Sequence, residues 1–243
     1  MKYGLISDIH ANWEALEAVL EALGEVDAYL CLGDVVGYGA NPNECCERVR
    51  ELGCTTIIGN HDEAALGRMD LNWFNPYARA AVEWTMAALT PENRKFLESL
   101  PATAEVDDFL LVHGALPDPW MYITSPLEAL LTFQNMEPDL CFIGHTHVAE
   151  YYYVEKNQGS FPSQVSLRRG GTVQVTPERR FIVNCGGVGQ PRDGNPQAAA
   201  GIYDTETREV EVLRVDYDLP TAQRKIRAAG LPSILADRLA FGR

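Results

Sequence analysis

The chain has 243 residues, of which 46% are hydrophobic and 22% charged, and its formal net charge is −14. This length supports a full hydrophobic core, and residues 1–243 are read as a single domain. The acidic balance argues against a broad nucleic-acid surface, because phosphate backbones are gripped by Lys and Arg. No apolar run approaches the roughly 18–20 residues of a membrane span, and Met1–Leu5 enters a strand-like segment with no signal-peptide anatomy, so a cytoplasmic protein is expected.

In chain order, strand and helix signals alternate first. Tyr3–Ser7 is a short strand ending at Asp8-Ile9-His10. Trp13, Leu16, Val19, Leu20 and Leu23 recur at helical spacing, and Gly24 closes that helix. Ala28–Leu32 is a second strand, delivering Asp34 through Gly33. A loop through Gly37, Tyr38, Gly39 and Pro42 leads to a helix over Asn43–Leu52. Thr55–Ile58 is a third strand, ending at Gly59-Asn60-His61-Asp62. Such β-then-α units imply a parallel sheet with right-handed crossovers.

Asn75-Pro76 starts a helix to Ala88, and Thr90-Pro91, a cap followed by proline at the first helical position, opens another to Leu100. Glu105-Val106 and Phe109–Val112 suggest a hairpin ending at His113. Ser125-Pro126-Leu127-Glu128 has capping-box spacing and starts a helix to Met136. Leu140–Ile143 is a strand ending at Gly144-His145-Thr146-His147. The segments Tyr151–Val154, Val165–Leu167, Thr172–Val175, Phe181–Val183, Gly201–Tyr203 and Val210–Val215 then read mostly as an antiparallel meander. A helical tail over Pro220–Phe241 breaks near Gly230-Pro232. The expected fold is α/β (α+β), a four-layer α/β/β/α sandwich of two mixed sheets flanked by helices.

The six cysteines form no C-x-x-C pair, which fits buried reduced thiols. All five histidines, His10, His61, His113, His145 and His147, end or just follow an apolar strand-like run. Asp8, Asp34 and Asn60 stand at the same kind of position, at the strand ends where open α/β sheets bind ligands. Imidazole, carboxylate and amide donors without thiolate suit Mn²⁺, Fe, Zn²⁺, Co²⁺ or Ni²⁺. They outnumber what one ion needs, whereas two divalent ions sharing Asp34 would use them all. Paired ions of this kind clamp a phosphoryl group for in-line attack. They would also make the pocket positive inside an acidic protein.

Asp8-x-His10, Gly33-Asp34-x-x-Gly37, Gly59-Asn60-His61-Asp62, His113 and Gly144-His145-Thr146-His147 together resemble the motif set of calcineurin-like metallophosphoesterases. Asn184-Cys185-Gly186-Gly187-Val188-Gly189-Gln190-Pro191-Arg192 is similar to the closing segment of the small bacterial and archaeal phosphodiesterase branch. The resemblance implies one metal on Asp8, His10, Asp34 and His147, and a second on Asp34, Asn60, His113 and His145. It implies phosphodiester hydrolysis by a metal-bridging hydroxide, with His61 contacting the phosphoryl group and protonating the leaving oxygen. Phosphomonoesterase and nucleotide phosphoanhydride hydrolase are the alternatives, and a non-catalytic protein-binding scaffold of the same fold is a distant one.

The protein serine/threonine phosphatase branch carries Asp-Arg-Gly soon after the second motif, where this chain has Gly37-Tyr38-Gly39. Its phosphate-gripping arginine and its orienting aspartate are missing, which argues against protein phosphatase activity. Asp62 is the neighbouring candidate for orienting His61. Tyr38, Asn41, Asp118, Trp120 and Tyr122 are candidates for the rim of the site, with core packing the alternative for each aromatic. Arg192 is a candidate phosphate contact or a surface salt bridge. Arg224, Lys225 and Arg227 read as a solvated helix face. The expected partner is a small phosphorylated substrate; natural metal and oligomeric state are left open.

Overall fold

A computed structural model describes residues 1–156 and 161–243. Part of the turn expected between Val154 and Val165 lies outside the described residues. The first elements are β1 (Lys2–Ile6), α1 (Trp13–Leu23), β2 (Ala28–Cys31), α2 (Pro42–Glu51), β3 (Thr55–Thr56) and α3 (Asn60–Ala65). They are followed by α4 (Pro76–Ala88), α5 (Pro91–Glu98), β4 (Thr103–Val106), β5 (Phe109–Val112), α6 (Pro126–Asn135) and β6 (Leu140–Ile143). The chain ends with β7 (Ala149–Glu155), β8 (Ser163–Ser166), β9 (Gly171–Gln174), β10 (Arg179–Cys185), β11 (Ala198–Asp204), β12 (Glu209–Val215), α7 (Leu219–Ala228) and α8 (Ser233–Asp237).

Local chemistry starts the helices where the sequence marks them. Asn12 accepts from the Ala15 N–H, Asn75 from Tyr77 and Ala78, and Thr90 from Asn93. Each satisfies a donor that the first helical turn leaves orphaned. At α6, Glu128 Oε2 accepts from the backbone N–H groups of Thr124 and Ser125 at 2.7 and 2.8 Å.

The strands form two six-stranded mixed sheets, ordered β3-β2-β1-β11-β12-β9 and β4-β5-β6-β10-β7-β8. Period-two alternation builds four layers from them. Phe109 and Leu111 of β5 point between the sheets, whereas Leu110 and Val112 pack with Ala129 and Phe133 of α6. Tyr3 and Leu5 likewise join the inter-sheet core, while Ile6 packs with Leu16 and Val19 of α1. Phe109 anchors the middle layer, meeting Tyr3, Phe142 and Tyr203 edge-on at 5.4, 5.4 and 5.6 Å between ring centroids. Strands covered on both faces read as unbroken apolar runs, which is why β5 and β6 carry no polar alternation.

The second half is not a simple meander. After β8 the chain crosses to the other sheet, where β9 pairs with β12, and β10 returns to lie parallel to β6 and antiparallel to β7. β10 is buried along most of its length, and an apolar run records that burial but not its partner. The segment after β3 also differs: β3 has two residues and Asn60–Ala65 forms the helix α3. Six residues are too few to show a helical period, and its start depends on the Asp62 carboxylate accepting from the Gly59 N–H at 3.0 Å.

All six cysteines are free, and only Cys54 is not fully buried. In the tail, Ile226, Leu231, Leu235 and Leu239 are buried, while Ile234 faces solvent. Arg224 and Arg227 are exposed, and Lys225 pairs with Glu14. Among the described residues no helix is long and apolar enough to cross a membrane.

Candidate metal centre

The parallel strands β1, β2 and β3 of one sheet and β5 and β6 of the other deliver their following loops to one edge of the sandwich. Those loops carry Asp8 and His10, Asp34, Asn60 and His61, His113, and His145 and His147. The backbone bends sharply there: Asp8, His10, Asp34, His145 and His147 have φ of 51°, 48°, 53°, 66° and 57°. Left-handed backbone costs an ordinary residue about 1–2 kcal/mol, and such strain clusters where function demands a particular side-chain direction. The bends are locked by backbone hydrogen bonds, including Asp8 N to Gly33 O at 3.0 Å, His10 N to Asp34 O at 2.9 Å and Gly189 N to Asp8 O at 2.9 Å. Gly59 is required by close approach, since a Cβ there would stand 2.1 Å from Asp34 Oδ1.

Two groups of donor atoms result. Asp8, His10, Asp34 and His147 form one, Asp34, His113 and His145 the other, with the donor atoms of each group within 4.8 Å of one another. Oδ2 of Asp34 lies 3.4 Å from Nε2 of His10 and 3.4 Å from Nε2 of His113. Nε2 of His147 is 3.3 Å from Asp8 Oδ1 and 3.1 Å from Nε2 of His10. Asn60 Oδ1 sits 3.3 Å from His113 Nε2, so it joins the second group.

Hydrogen bonds fix the imidazoles for ligation. Nδ1 of His10, His113 and His147 donates to the carbonyls of Val36, Leu32 and Gln190, and Nε2 of His145 donates to that of Trp120. A carbonyl only accepts, so each of these nitrogens carries a proton, and the neutral rings of His10, His145 and His147 then turn a bare lone pair inward, as His113 would once a cation displaced its second proton. That is the arrangement by which proteins orient metal-binding histidines. Two such lone pairs, on His10 and His147, face each other at 3.1 Å, and the buried Oδ2 of Asp34 has no hydrogen-bond partner. Both observations fit a cation among these atoms.

Burial holds His10 and His147 well below the ordinary imidazole range and His145 down to about 3, as neutral ligands require. Burial also disfavours a charge on His113, but Asp34 beside it prevails and raises it to about 9. Burial pushes Asp8 up to about 6. It would raise Asp34 as well, yet His113 and His61 hold that carboxylate well below its usual range.

His61 stands apart. Its backbone N–H donates to Asp34 Oδ1 at 2.8 Å, but its ring Nδ1 has no hydrogen-bond partner. The ring is wedged among His10, Tyr38 and Phe74 at centroid distances of 4.8, 4.4 and 5.1 Å. Gly37 makes room for it, a Cβ there lying 2.6 Å from Nδ1. Asp62 does not orient this ring: its two carboxylate oxygens accept from the backbone N–H groups of Val36 and Gly59. Packing does the orienting instead. Burial lowers His61 to about 4.

Tyr38, Asp118, Trp120 and Tyr122 line a cavity of about 220 Å³ that reaches Asn60, His61 and His145. Asn41 is absent from its lining; its amide donates to Glu44 at 2.9 Å at the start of α2. Arg192 pairs with no carboxylate among the described residues. Its guanidinium lies 5.5 Å over the Tyr38 ring and donates to Gln190 Oε1 at 3.3 and 3.0 Å. Sequence patterns did not single out Gln190 or Trp73 and Phe74. Gln190 meets His147 through a carbonyl every residue has and Arg192 through its side chain, and Trp73 lies on a three-residue turn with no period to read.

Fold and site together define a metallophosphoesterase. The family description "Calcineurin-like phosphoesterase superfamily domain" matches residues 1–208, and the chain belongs to that superfamily. The crystal structure of a metallophosphoesterase from Sphaerobacter thermophilus is similar over 100% of both chains, at 42% identity and a TM-score of 0.88. An uncharacterized protein of Methanocaldococcus jannaschii, MJ0912, is 38% identical over 98% of this chain and 97% of its own. The hypothetical protein PH1004 of Pyrococcus horikoshii OT3 shares the fold, at 19% identity, with a TM-score of 0.80 over 100% of this chain and 98% of its own.

Proposed function

We propose that the protein is a dinuclear metal-dependent phosphoric ester hydrolase acting on phosphodiesters of small molecules in the cytoplasm. One observation carries this reading: Oδ2 of Asp34, buried and unpartnered, is equidistant at 3.4 Å from histidines of both donor groups. A carboxylate so placed would serve a cation in each group. One ion would be held by Asp8, His10, Asp34 and His147, the other by Asp34, Asn60, His113 and His145. The donor set suits Mn²⁺, and also Fe, Zn²⁺, Co²⁺ or Ni²⁺. Such ions, when bound, supply Lewis acidity and an activated water.

The chain's own side chains do the rest. His61 lines the cavity, where its ring would meet a phosphoryl oxygen or a leaving group, while its Nδ1 is buried against Gly37. It is neutral at pH 7 without substrate; a phosphate anion beside it favours the imidazolium, which donates its proton to the departing oxygen. Tyr38 and Arg192 provide a hydroxyl and a guanidinium for the remaining phosphoryl oxygens.

The donor set handles phosphorus alone and would serve a monoester or a phosphoanhydride equally well. The deciding experiment sets bis(p-nitrophenyl) phosphate against p-nitrophenyl phosphate, using stripped protein restored with Mn²⁺. Faster diester cleavage is expected. Faster monoester cleavage would make the protein a phosphomonoesterase, and protein that binds no metal would be a scaffold.

A further inference from the structure

We infer that the cavity beside the centre is a subsite for a flat, uncharged heteroaromatic ring on the substrate, of nucleobase type, with Trp73 and Trp120 as its stacking platforms. This rests on the phosphoesterase reading and names the substituent that the ester carries.

Two loops each tie an aromatic pair to a histidine of the site. On one side, Trp73 is 78% exposed. It sits on a 3-10 turn whose start is capped by Asp70, which accepts from the Asn72 N–H at 2.9 Å. The next residue, Phe74, meets the His61 ring edge-on at 5.1 Å. On the other side, Tyr122 stacks on His145 at 3.8 Å with 14° between the planes, and the Trp120 carbonyl accepts from the same imidazole at 2.9 Å. Both pairs border one cavity. A single exposed aromatic is ordinary. Two exposed rings, Trp73 and Tyr122, and two half-buried ones, Phe74 and Trp120, around one mouth, each pair anchored to the reacting centre, set the spacing between a phosphoryl group and a ring.

Charge selects among occupants. No Lys or Arg is among the lining residues and Asp118 puts a carboxylate on the rim, although the guanidinium of Arg192 lies 5.5 Å over the ring of the lining Tyr38. With Arg192 engaged by the phosphoryl group at the centre, a second phosphate would meet Asp118 and no further lining cation, which disfavours phosphoanhydrides. Asp118, Asn75 and Asn60 offer polar contacts that an alkyl chain would leave unused, whereas a heteroaromatic ring has both a π face and polar edges. At about 220 Å³ the cavity is below the roughly 300–1,000 Å³ of common ligand sites, so it receives one substituent and not a polymer.

Calorimetry with Mn²⁺-loaded protein tests this using adenosine 5′-monophosphate and ribose 5-phosphate, which differ only in the base. Stacking is worth roughly 1–3 kcal/mol per base, so the nucleotide is expected to bind about tenfold or more tightly. Trp73→Ala should erase most of that preference and Trp73→Phe should keep most of it. Tyr77→Ala, exposed on α4 outside this cavity, should leave it intact. Nucleotide binding should also quench tryptophan fluorescence, and less so in Trp73→Ala. Equal affinity for the two ligands, no binding of either, or a preference surviving in Trp73→Ala would overturn the inference. Failure of the phosphoesterase reading shows separately, as no Mn²⁺-dependent cleavage of bis(p-nitrophenyl) phosphate.

Discussion

The backbone N–H of His61 donates to Oδ1 of Asp34 at 2.8 Å, and the other oxygen of that carboxylate is left buried without a hydrogen-bond partner. One bond thus does two things. It aims Oδ2 at His10 and His113, and it ties the loop bearing His61 to the carboxylate placed between the two donor groups.

Asp34→Asn keeps the shape but removes the charge between the clusters. Turnover with Mn²⁺ should fall by more than the roughly 10–100-fold typical of residues that merely support a ligand. Metal affinity should fall with it, as read by titration of stripped protein. Unchanged affinity at both sites would show that Asp34 does not bridge.

His61→Ala should behave differently. The lost group is an acid and not a ligand, so metal content should match wild type while kcat drops about 10²–10⁴-fold. Metal analysis alongside steady-state kinetics separates the two roles. Equal metal loss in the Asp34 and His61 variants would contradict the division.

Gln190 holds Arg192 with its side chain and His147 with its backbone carbonyl. Gln190→Ala should therefore release Arg192 while sparing the His147 contact. KM should rise by about tenfold, near the value of a hydrogen bond to a charged group, with metal affinity preserved. Combined with Arg192→Ala, the effect should be less than additive. Full additivity would mean that Gln190 does not act through Arg192.

Proton linkage gives a pH prediction for metal-stripped protein. His10, His61, His145 and His147 are held below the free imidazole value of about 6.5, so below that pH the unfolded chain binds protons that the folded chain does not. Their stability contribution is complete above about 6.5 and declines as pH falls, each by up to about 1.4 kcal/mol per pH unit. His113 runs oppositely: raised to about 9, its contribution is complete below the unfolded value and is lost as pH rises through 9. Asp8 and Asp62, raised by burial to about 6 and about 7, gain stability as pH falls and offset part of this loss, but four depressed imidazoles outweigh two raised carboxyls, so the melting temperature should drop from pH 6.5 to pH 5. A flat profile would contradict neutral buried imidazoles.

Much of this was legible in the sequence, because strand ends announce themselves. A short apolar run halted by Gly-Asp or Gly-His gives both the strand and the chemistry at its end, and the structure brings Asp8, His10, Asp34, Asn60, His113, His145 and His147 together. β10 was legible as a strand but not as a parallel neighbour of β6, since burial on both faces says nothing about partners. Asp62 looked like a catalytic orienter because it follows His61. Its carboxylate is spent on the Gly59 and Val36 N–H groups, and short-range spacing does not distinguish those uses. Trp73 acts through a solvent-facing ring and Gln190 through a backbone carbonyl to His147 and a side-chain oxygen to Arg192, contacts that no residue pattern encodes.

The most direct test of a shared carboxylate is the Mn²⁺ stoichiometry of stripped and reloaded protein, read together with its electron paramagnetic resonance. Two ions per chain with a spin-coupled spectrum are expected, the coupling lost in Asp34→Asn. One ion per chain, or two uncoupled ions in the wild type, would contradict the dinuclear centre.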